Sequence, residues 1–380
     1  MTGPIDAAEA AAPSRLDRLL PLLEADPANL SLLADAAETA LAEQRPEVAA
    51  DLLGRYAAIA PLPPRETNLA GLAALQTKRY DRAADLFGEL VEAGVDDPAV
   101  RFNLAWACAM DKQFDRSLEL LDDDLARTLP QAAMLQVQLL HDRGEFDDAA
   151  RRAREYVEIH PDYAPLMATV SVLALDVEDA ELAAACAAKG GEHPDALTTL
   201  GTLALGDERA TEALDLFDRA LDRNPQVPRA WVGRGLARLM TGQSPDAAAD
   251  IDRGAEMFGD HLGSWIAAGW AHFVNNDLAS ARARFETALE LDDTFAETHG
   301  SLAVLDLLEG NAEGAREKSE IALRLDRQCY SAALARSMLA AGAGDQEMAR
   351  RIYEAAANTP IDDSGRTIGQ TLAKLGMGMT

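Results

Sequence analysis

The chain repeats one pattern of small and apolar residues every 34 positions through its second half. The period is visible in these sets: Leu197, Trp231, Trp265, His299 and Ala333; Gly201, Gly235, Gly269, Ala303 and Ser337; Ala213, Ala247, Ala281, Ala315 and Ala349. A fixed period near 34 is typical of stacked helix–turn–helix units, each of which buries its apolar face against its neighbours. The pattern therefore predicts an all-α solenoid before any other feature is considered.

About ten units fit this register, and each predicts a helix A, a short turn and a helix B. They start near residues 30, 64, 98, 130, 164, 194, 228, 262, 296 and 330. Glycine recurs where helix A must end, at Gly144, Gly242, Gly310 and Gly344. Glycine tolerates the left-handed conformation that closes many helices, so these residues predict the turns. Ahead of the first unit, Ser14 is a candidate N-cap for a helix that ends at Ala25.

Inside the units, the order of small and bulky residues resembles the tetratricopeptide repeat family, in its multi-repeat bacterial type. The unit near residue 194 carries the motif most fully, with Leu197, Leu200, Gly201, Ala204, Ala213, Phe217, Ala220 and Pro225. The resemblance covers about residues 28 to 360 and implies a right-handed superhelical solenoid. It also implies that the small residue at position 8 of each unit lets helix B cross closely. Phe87, Phe217 and Phe285 would fill the space at that crossing.

The repeat pattern is less regular in the first half of the chain. The units near residues 130 and 164 are irregular, and the segment before Gly190 and Gly191 predicts a shortened helix B. We therefore expect a disordered start (1–13), an N-terminal helical cap and repeat block (14–193), a regular C-terminal block (194–363), and a capping helix with a tail (364–380).

The chain is strongly acidic, with 35 Lys and Arg against 64 Asp and Glu and a net charge of −29. Such a charge repels nucleic acid and anionic membrane surfaces. It either keeps an alanine-rich array soluble or attracts a partner with basic flanks. The sequence contains no apolar run long enough for membrane insertion and no apolar leader, which predicts a cytoplasmic protein.

Candidate chemistry is sparse. The sequence has no nucleotide-binding or hydrolase motif, and its six histidines are far apart, so we expect no catalytic residue, no metal and no cofactor. Cys108, Cys186 and Cys329 fall in three different units and predict buried thiols. Acidic runs such as 122–124 suit helix capping. Arg234 and Arg238 occupy usually apolar positions, where their stems could lie on apolar surface with the charged heads in water.

One group of residues predicts a binding surface. Positions 5, 9 and 12 of helix A lie on a face turned away from the packing stripe, and in the resembled family this face lines a concave groove. It carries Phe102, Trp106, Val232, Leu236, Ile266, Trp270, Phe273, Val304 and Leu307. An apolar strip of this kind marks an interaction site if it is exposed. The alternative is that these side chains pack between repeats.

The sequence thus favours a non-catalytic adaptor or scaffold that binds an apolar segment of a partner protein or peptide in the groove. Two alternatives remain open. The chain could self-assemble into a homo-oligomer, in which the groove receives a neighbour's terminus. It could also be the accessory subunit of a separate transferase.

Overall fold

The computed structural model describes residues 13–359 and residue 367. Residues 13–359 form 22 α-helices and no β-strand, which confirms the predicted all-α repeat fold. The chain forms two compact units, Met1–Leu166 and Met167–Thr380. The boundary expected between residues 193 and 194 stays a prediction. Apart from residues 13 and 367, the expected disordered start (1–13) and capping helix with tail (364–380) lie outside the described residues.

The first unit contains ten complete helices. They are α1 (Arg15–Ala25), α2 (Leu30–Ala42), α3 (Pro46–Ile59), α4 (Pro64–Gln76), α5 (Tyr80–Glu92), α6 (Pro98–Met110), α7 (Phe114–Leu120), α8 (Asp123–Thr128), α9 (Pro130–Asp142) and α10 (Phe146–Ile159). Ser14 caps α1 as predicted, because its hydroxyl accepts the N–H of Asp17 and the Asp17 carboxylate accepts the N–H of Ser14.

Helix α11 (Ala164–Asp176) begins just before the second unit. The rest of that unit consists of α12 (Ala180–Gly190), α13 (Pro194–Gly206), α14 (Ala210–Arg223), α15 (Pro228–Met240), α16 (Ser244–Phe258), α17 (Leu262–Val274), α18 (Leu278–Leu291), α19 (Ala296–Leu308), α20 (Ala312–Leu325), α21 (Tyr330–Gly342) and α22 (Gln346–Ala357). Every predicted repeat start, from residue 30 to residue 330, is the first residue of a helix.

Each helix A ends in the same kind of turn. The residue with positive φ in these turns is Gln44, Lys78, Lys112, Gly144, Glu178, Glu208, Gly242, Asn276, Gly310 or Gly344. The next N–H donates to the carbonyl five residues earlier, as Glu145 does to Leu140 at 2.9 Å, which closes the helix. The turns predicted from glycine are confirmed. Where a side chain is present, the left-handed conformation costs roughly 1–2 kcal/mol.

The close crossing of helices A and B is confirmed. A Cβ atom on Gly269 would lie 2.2 Å from Cε1 of Phe285, and one on Gly201 would lie 2.8 Å from Cε1 of Phe217. Both phenylalanines are fully buried. The absence of a side chain in helix A therefore makes the space that the ring of helix B fills.

Helix B of the third repeat departs from the prediction of a single helix. It is divided into α7 and α8, with a break at Leu121 and Asp122. Asp122 accepts the N–H of Leu125 at 2.8 Å and so caps α8, which confirms a capping function for this acidic run. Helix α12 is short, with 11 residues, as the segment before Gly190 predicted.

Candidate partner-binding surface

In the second unit, Trp270 and Phe273 of α17 form the centre of the predicted surface. Their ring centroids are 5.1 Å apart, with an interplanar angle of 70°. Trp270 also lies edge-on to the fully buried Phe285, at 5.6 Å. Trp270 and Phe273 are both half-buried, so each side chain is partly packed and partly exposed. Such edge-to-face contacts hold aromatic rings in fixed orientations.

Apolar side chains of the next two repeats continue this surface. These side chains are Leu307 of α19 and Leu334 and Met338 of α21, and all three are half-buried. Together with Trp270 and Phe273 they pack against one group of buried side chains. We call these five residues the Trp270 cluster. Leu334 and Met338 were not among the groove residues predicted from the sequence. They occupy positions 5 and 9 of the last repeat, so the same positional rule would have found them.

Two predicted groove residues pack closely against neighbouring helices, and one of them is fully buried. Val304 is only 1 % exposed, because α21 approaches α19 closely at Gly300, where a Cβ atom would lie 2.6 Å from the amide nitrogen of Ala332. Val232 is half-buried and lies against Gly254 of α16, with its Cγ2 atom 2.5 Å from where a Cβ atom of that glycine would be. Val304 therefore contributes to helix packing rather than to an open surface, whereas the contact of Val232 with a partner stays a prediction.

The other predicted residues of this unit flank the Trp270 cluster. Leu236 is half-buried and packs against the group formed by Ile251, Ala268 and Ala271. Ile266 is half-buried and packs with Trp270 over Phe285. Both residues therefore pack within the repeats, and their contact with a partner stays a prediction.

In the first unit, Phe102 and Trp106 form a separate aromatic pair. The rings are tilted by 42°, with centroids 6.3 Å apart. Both side chains are half-buried, and they pack on a group that includes Leu121 and Leu125 at the break in helix B. A partner-binding function for this pair also stays a prediction.

Buried charges lie behind the apolar surface of the second unit. Asp250, which is 5 % exposed, accepts two hydrogen bonds from Arg234 at 2.7 Å and one from Arg238 at 2.6 Å. Arg234 also donates to Asp218 at 2.9 Å. The charged heads of Arg234 and Arg238 therefore bind a buried carboxylate and do not lie only in water. A buried carboxylate requires such partners, and it holds both guanidinium groups inside the packing.

Similar ion pairs join successive helices further along this unit. Asp306 accepts from Lys318 at 2.6 Å and from Arg282 at 2.8 Å. Burial alone would raise the pKa of Asp306, but these two hydrogen bonds outweigh it and hold the pKa below its ordinary value. Asp252 has a lowered pKa for the same balance of causes, with burial opposed by hydrogen bonds from Arg284 and His272.

The histidines have structural contacts. The Nε2 atom of His299 lies 2.7 Å from the carbonyl oxygen of Asp293. Because a carbonyl oxygen can only accept, Nε2 carries the proton and donates. His299 replaces the tryptophans at the same repeat position, since Trp231 and Trp265 donate to the carbonyls of Pro225 and Gly259. The described residues contain no group of His, Cys, Asp and Glu placed to hold a metal ion. All three cysteines are buried, as predicted.

The 22 helices of the described residues define a helical-repeat protein. A sequence model of the tetratricopeptide repeat matches residues 68–133 and 198–261. These two segments match tetratricopeptide repeats, which confirms the predicted resemblance to that family. No curated protein matches the sequence.

Solved structures of low sequence identity are similar to this chain. A monomeric mutant of IFIT1 with Gppp-AAAA is 11 % identical, with a TM-score of 0.51 over 90 % of this chain and 93 % of that one. PilF of Pseudomonas aeruginosa is 17 % identical, with a TM-score of 0.45 over 55 % of this chain and 96 % of that one. A chain of the APC/C hetero-tetramer Cut9–Hcn1 is 15 % identical, with a TM-score of 0.42 over 95 % and 86 %.

Within the described residues, none of the helices has the length and apolar character needed to cross a membrane.

Proposed function

We propose that this protein is a non-catalytic adaptor or scaffold that holds an apolar segment of a partner protein, helical or extended, on the Trp270 cluster. Tetratricopeptide repeats in general mediate contacts between proteins. The observation that carries the proposal is the fixed but half-exposed pair of Trp270 and Phe273, continued by apolar side chains on α19 and α21. Aromatic residues and methionine are enriched where proteins bind one another.

The groove positions of α17 and α21 support an apolar occupant, because their half-buried side chains at positions 5, 9 and 12 carry no charge. A segment that places leucine, isoleucine or phenylalanine on these rings would bury apolar surface on both sides. For the same reason, we propose that Phe102 and Trp106 form a second partner-binding site, within the first unit.

Charge supports a choice among partners. With a net charge of −29, the protein attracts segments with basic flanks and disfavours nucleic acid. Long-range attraction of this kind increases the rate of encounter more than it lengthens the life of the complex. We propose a cytoplasmic setting, in which the buried cysteines remain reduced.

The test is a pull-down from native lysate with the intact protein and with the paired variant Trp270→Ala and Phe273→Ala. A matched control pairs Leu291→Ala with Leu325→Ala, which removes two apolar side chains, each 45 % exposed, at the ends of α18 and α20 of the same unit. Circular dichroism must show unchanged helicity in both variants.

We expect the intact protein and the control variant to retain a partner protein. The variant with Trp270→Ala and Phe273→Ala should lose that partner. Equal retention by all three proteins would contradict a site at the Trp270 cluster. Recovery of the chain itself as the only retained protein, with the same dependence on Trp270 and Phe273, would favour the self-assembling alternative.

A further inference from the structure

The break in helix B of the third repeat has no proline or glycine to cause it, and its one local signal is the N-cap residue Asp122. Residues 114–128 contain neither proline nor glycine, the usual causes of a helix break. The apolar residues of this segment keep a helical spacing straight through the break, at Leu118, Leu121, Leu125 and Leu129. The apolar spacing therefore suits one continuous helix, while the cap at Asp122 and a contact from elsewhere favour the broken form.

That contact comes from Gln136 of α9. Its Nε2 atom donates to the carbonyl oxygen of Leu121, the last residue before Asp122. In a continuous helix, this carbonyl would accept the N–H of Leu125 instead. Gln136 is 3 % exposed, and its Oε1 atom accepts from Tyr156 Oη at 2.6 Å, so its amide is held firmly in this position.

The acidic residues after the break stabilise the same form. Asp122 caps α8 through the N–H of Leu125 and pairs with Arg101, while Asp123 pairs with Arg152. A cavity of about 430 Å³ at the break is lined by these two aspartates, Gln136 and Arg152 among others. The broken form thus gains side-chain contacts in exchange for the intrahelical hydrogen bonds that it lacks.

We propose that helix B of the third repeat is a two-state element, broken when Gln136 binds the carbonyl of Leu121 and continuous from Phe114 to Thr128 when it does not. Leu121 and Leu125 are buried beneath Phe102 and Trp106. A change between the two forms therefore moves Leu121 and Leu125, against which this aromatic pair packs. Gln136 is the positioning residue of the device, which acts independently of the Trp270 cluster.

The experiment measures amide hydrogen exchange in the full chain. In the broken form, the N–H groups of residues 122–124 belong to the first turn of α8 and have no intrahelical acceptor, so they exchange fast. Gln136→Leu removes the bond to Leu121 and leaves an apolar side chain in a buried place. Gln138→Leu is the matched control, because it makes the same change at an exposed position of the same helix.

We expect exchange at residues 122–124 to slow by about tenfold or more in Gln136→Leu and to stay unchanged in Gln138→Leu. A residue needed only for stability would give faster exchange, so a gain of protection is specific to the two-state account. Asp122→Ala changes an exposed residue and removes the N-cap of α8, so it should also slow exchange at these amides. If Gln136→Leu does not fold, this second variant tests whether the segment can form one continuous helix. Fast exchange at these amides in the folded variants would overturn the proposal.

Discussion

The buried carboxylate of Asp250 provides a sharp test of how the repeats of the second unit hold together. Asp250→Ala removes three short hydrogen bonds and leaves Arg234 and Arg238 inside the packing, with side chains 15 % and 22 % exposed. Breaking a buried ion pair in this way costs about 3–5 kcal/mol. Arg234 keeps its bond to Asp218, and both arginine side chains are partly exposed. We therefore expect a loss near the lower end, about 3 kcal/mol.

Because a repeat array need not unfold in one step, the loss is best measured locally, by amide exchange in α15 and α16. The control is Asp218→Ala, whose side chain is 48 % exposed and should cost at most about 1 kcal/mol. The triple change of Asp250, Arg234 and Arg238 to leucine should recover most of the loss, since apolar side chains replace buried ion pairs at little cost. Equal effects of Asp250→Ala and Asp218→Ala would refute the reasoning.

Three further predictions concern the turns, the helix crossing and acid stability. Lys112→Gly should raise the local free energy of unfolding by about 1 kcal/mol and Gly242→Ala should lower it by about 1 kcal/mol, both measured by amide exchange in the flanking helices, since each residue has positive φ. Phe285→Ala should cost about 3–5 kcal/mol in the same assay, because its fully buried ring fills the crossing at Gly269. The pKa of Asp306 is lower in the folded protein than the unfolded value of about 3.9, so its carboxylate contributes stability above that value. This stability is lost as the pH falls through the folded pKa. The urea midpoint of Asp306→Asn should therefore fall less steeply with acid than that of the unchanged protein.

The repeat starts could be predicted from the sequence because a solenoid is built from local units. A period of 34 and a small residue such as Gly201 or Gly269 report contacts within one hairpin, and these contacts recur unchanged. The turns with glycine were visible for the same reason. Turns with Lys112 or Glu208 gave no signal by residue type, although they adopt the same positive φ.

The features that escaped prediction depend on contacts between elements. The break at Leu121 is held by Gln136, 15 positions later, in a segment whose own pattern is helical. The burial of Val304 depends on how closely α21 approaches Gly300. Helical periodicity identifies the face on which a residue lies, but it does not say how near the next helix comes. Groove and packing residues therefore look alike in the sequence.

Site-specific photo-crosslinking from the Trp270 cluster tests the central claim most directly. A photoreactive phenylalanine analogue is placed at position 273 and, as a control, at position 325, which is exposed at the end of α20 in the same unit. After irradiation in native lysate, the account predicts that a distinct partner protein is joined to the chain from position 273 and not from position 325. Identical products from both positions, or none from position 273, would contradict a partner-binding function for this surface.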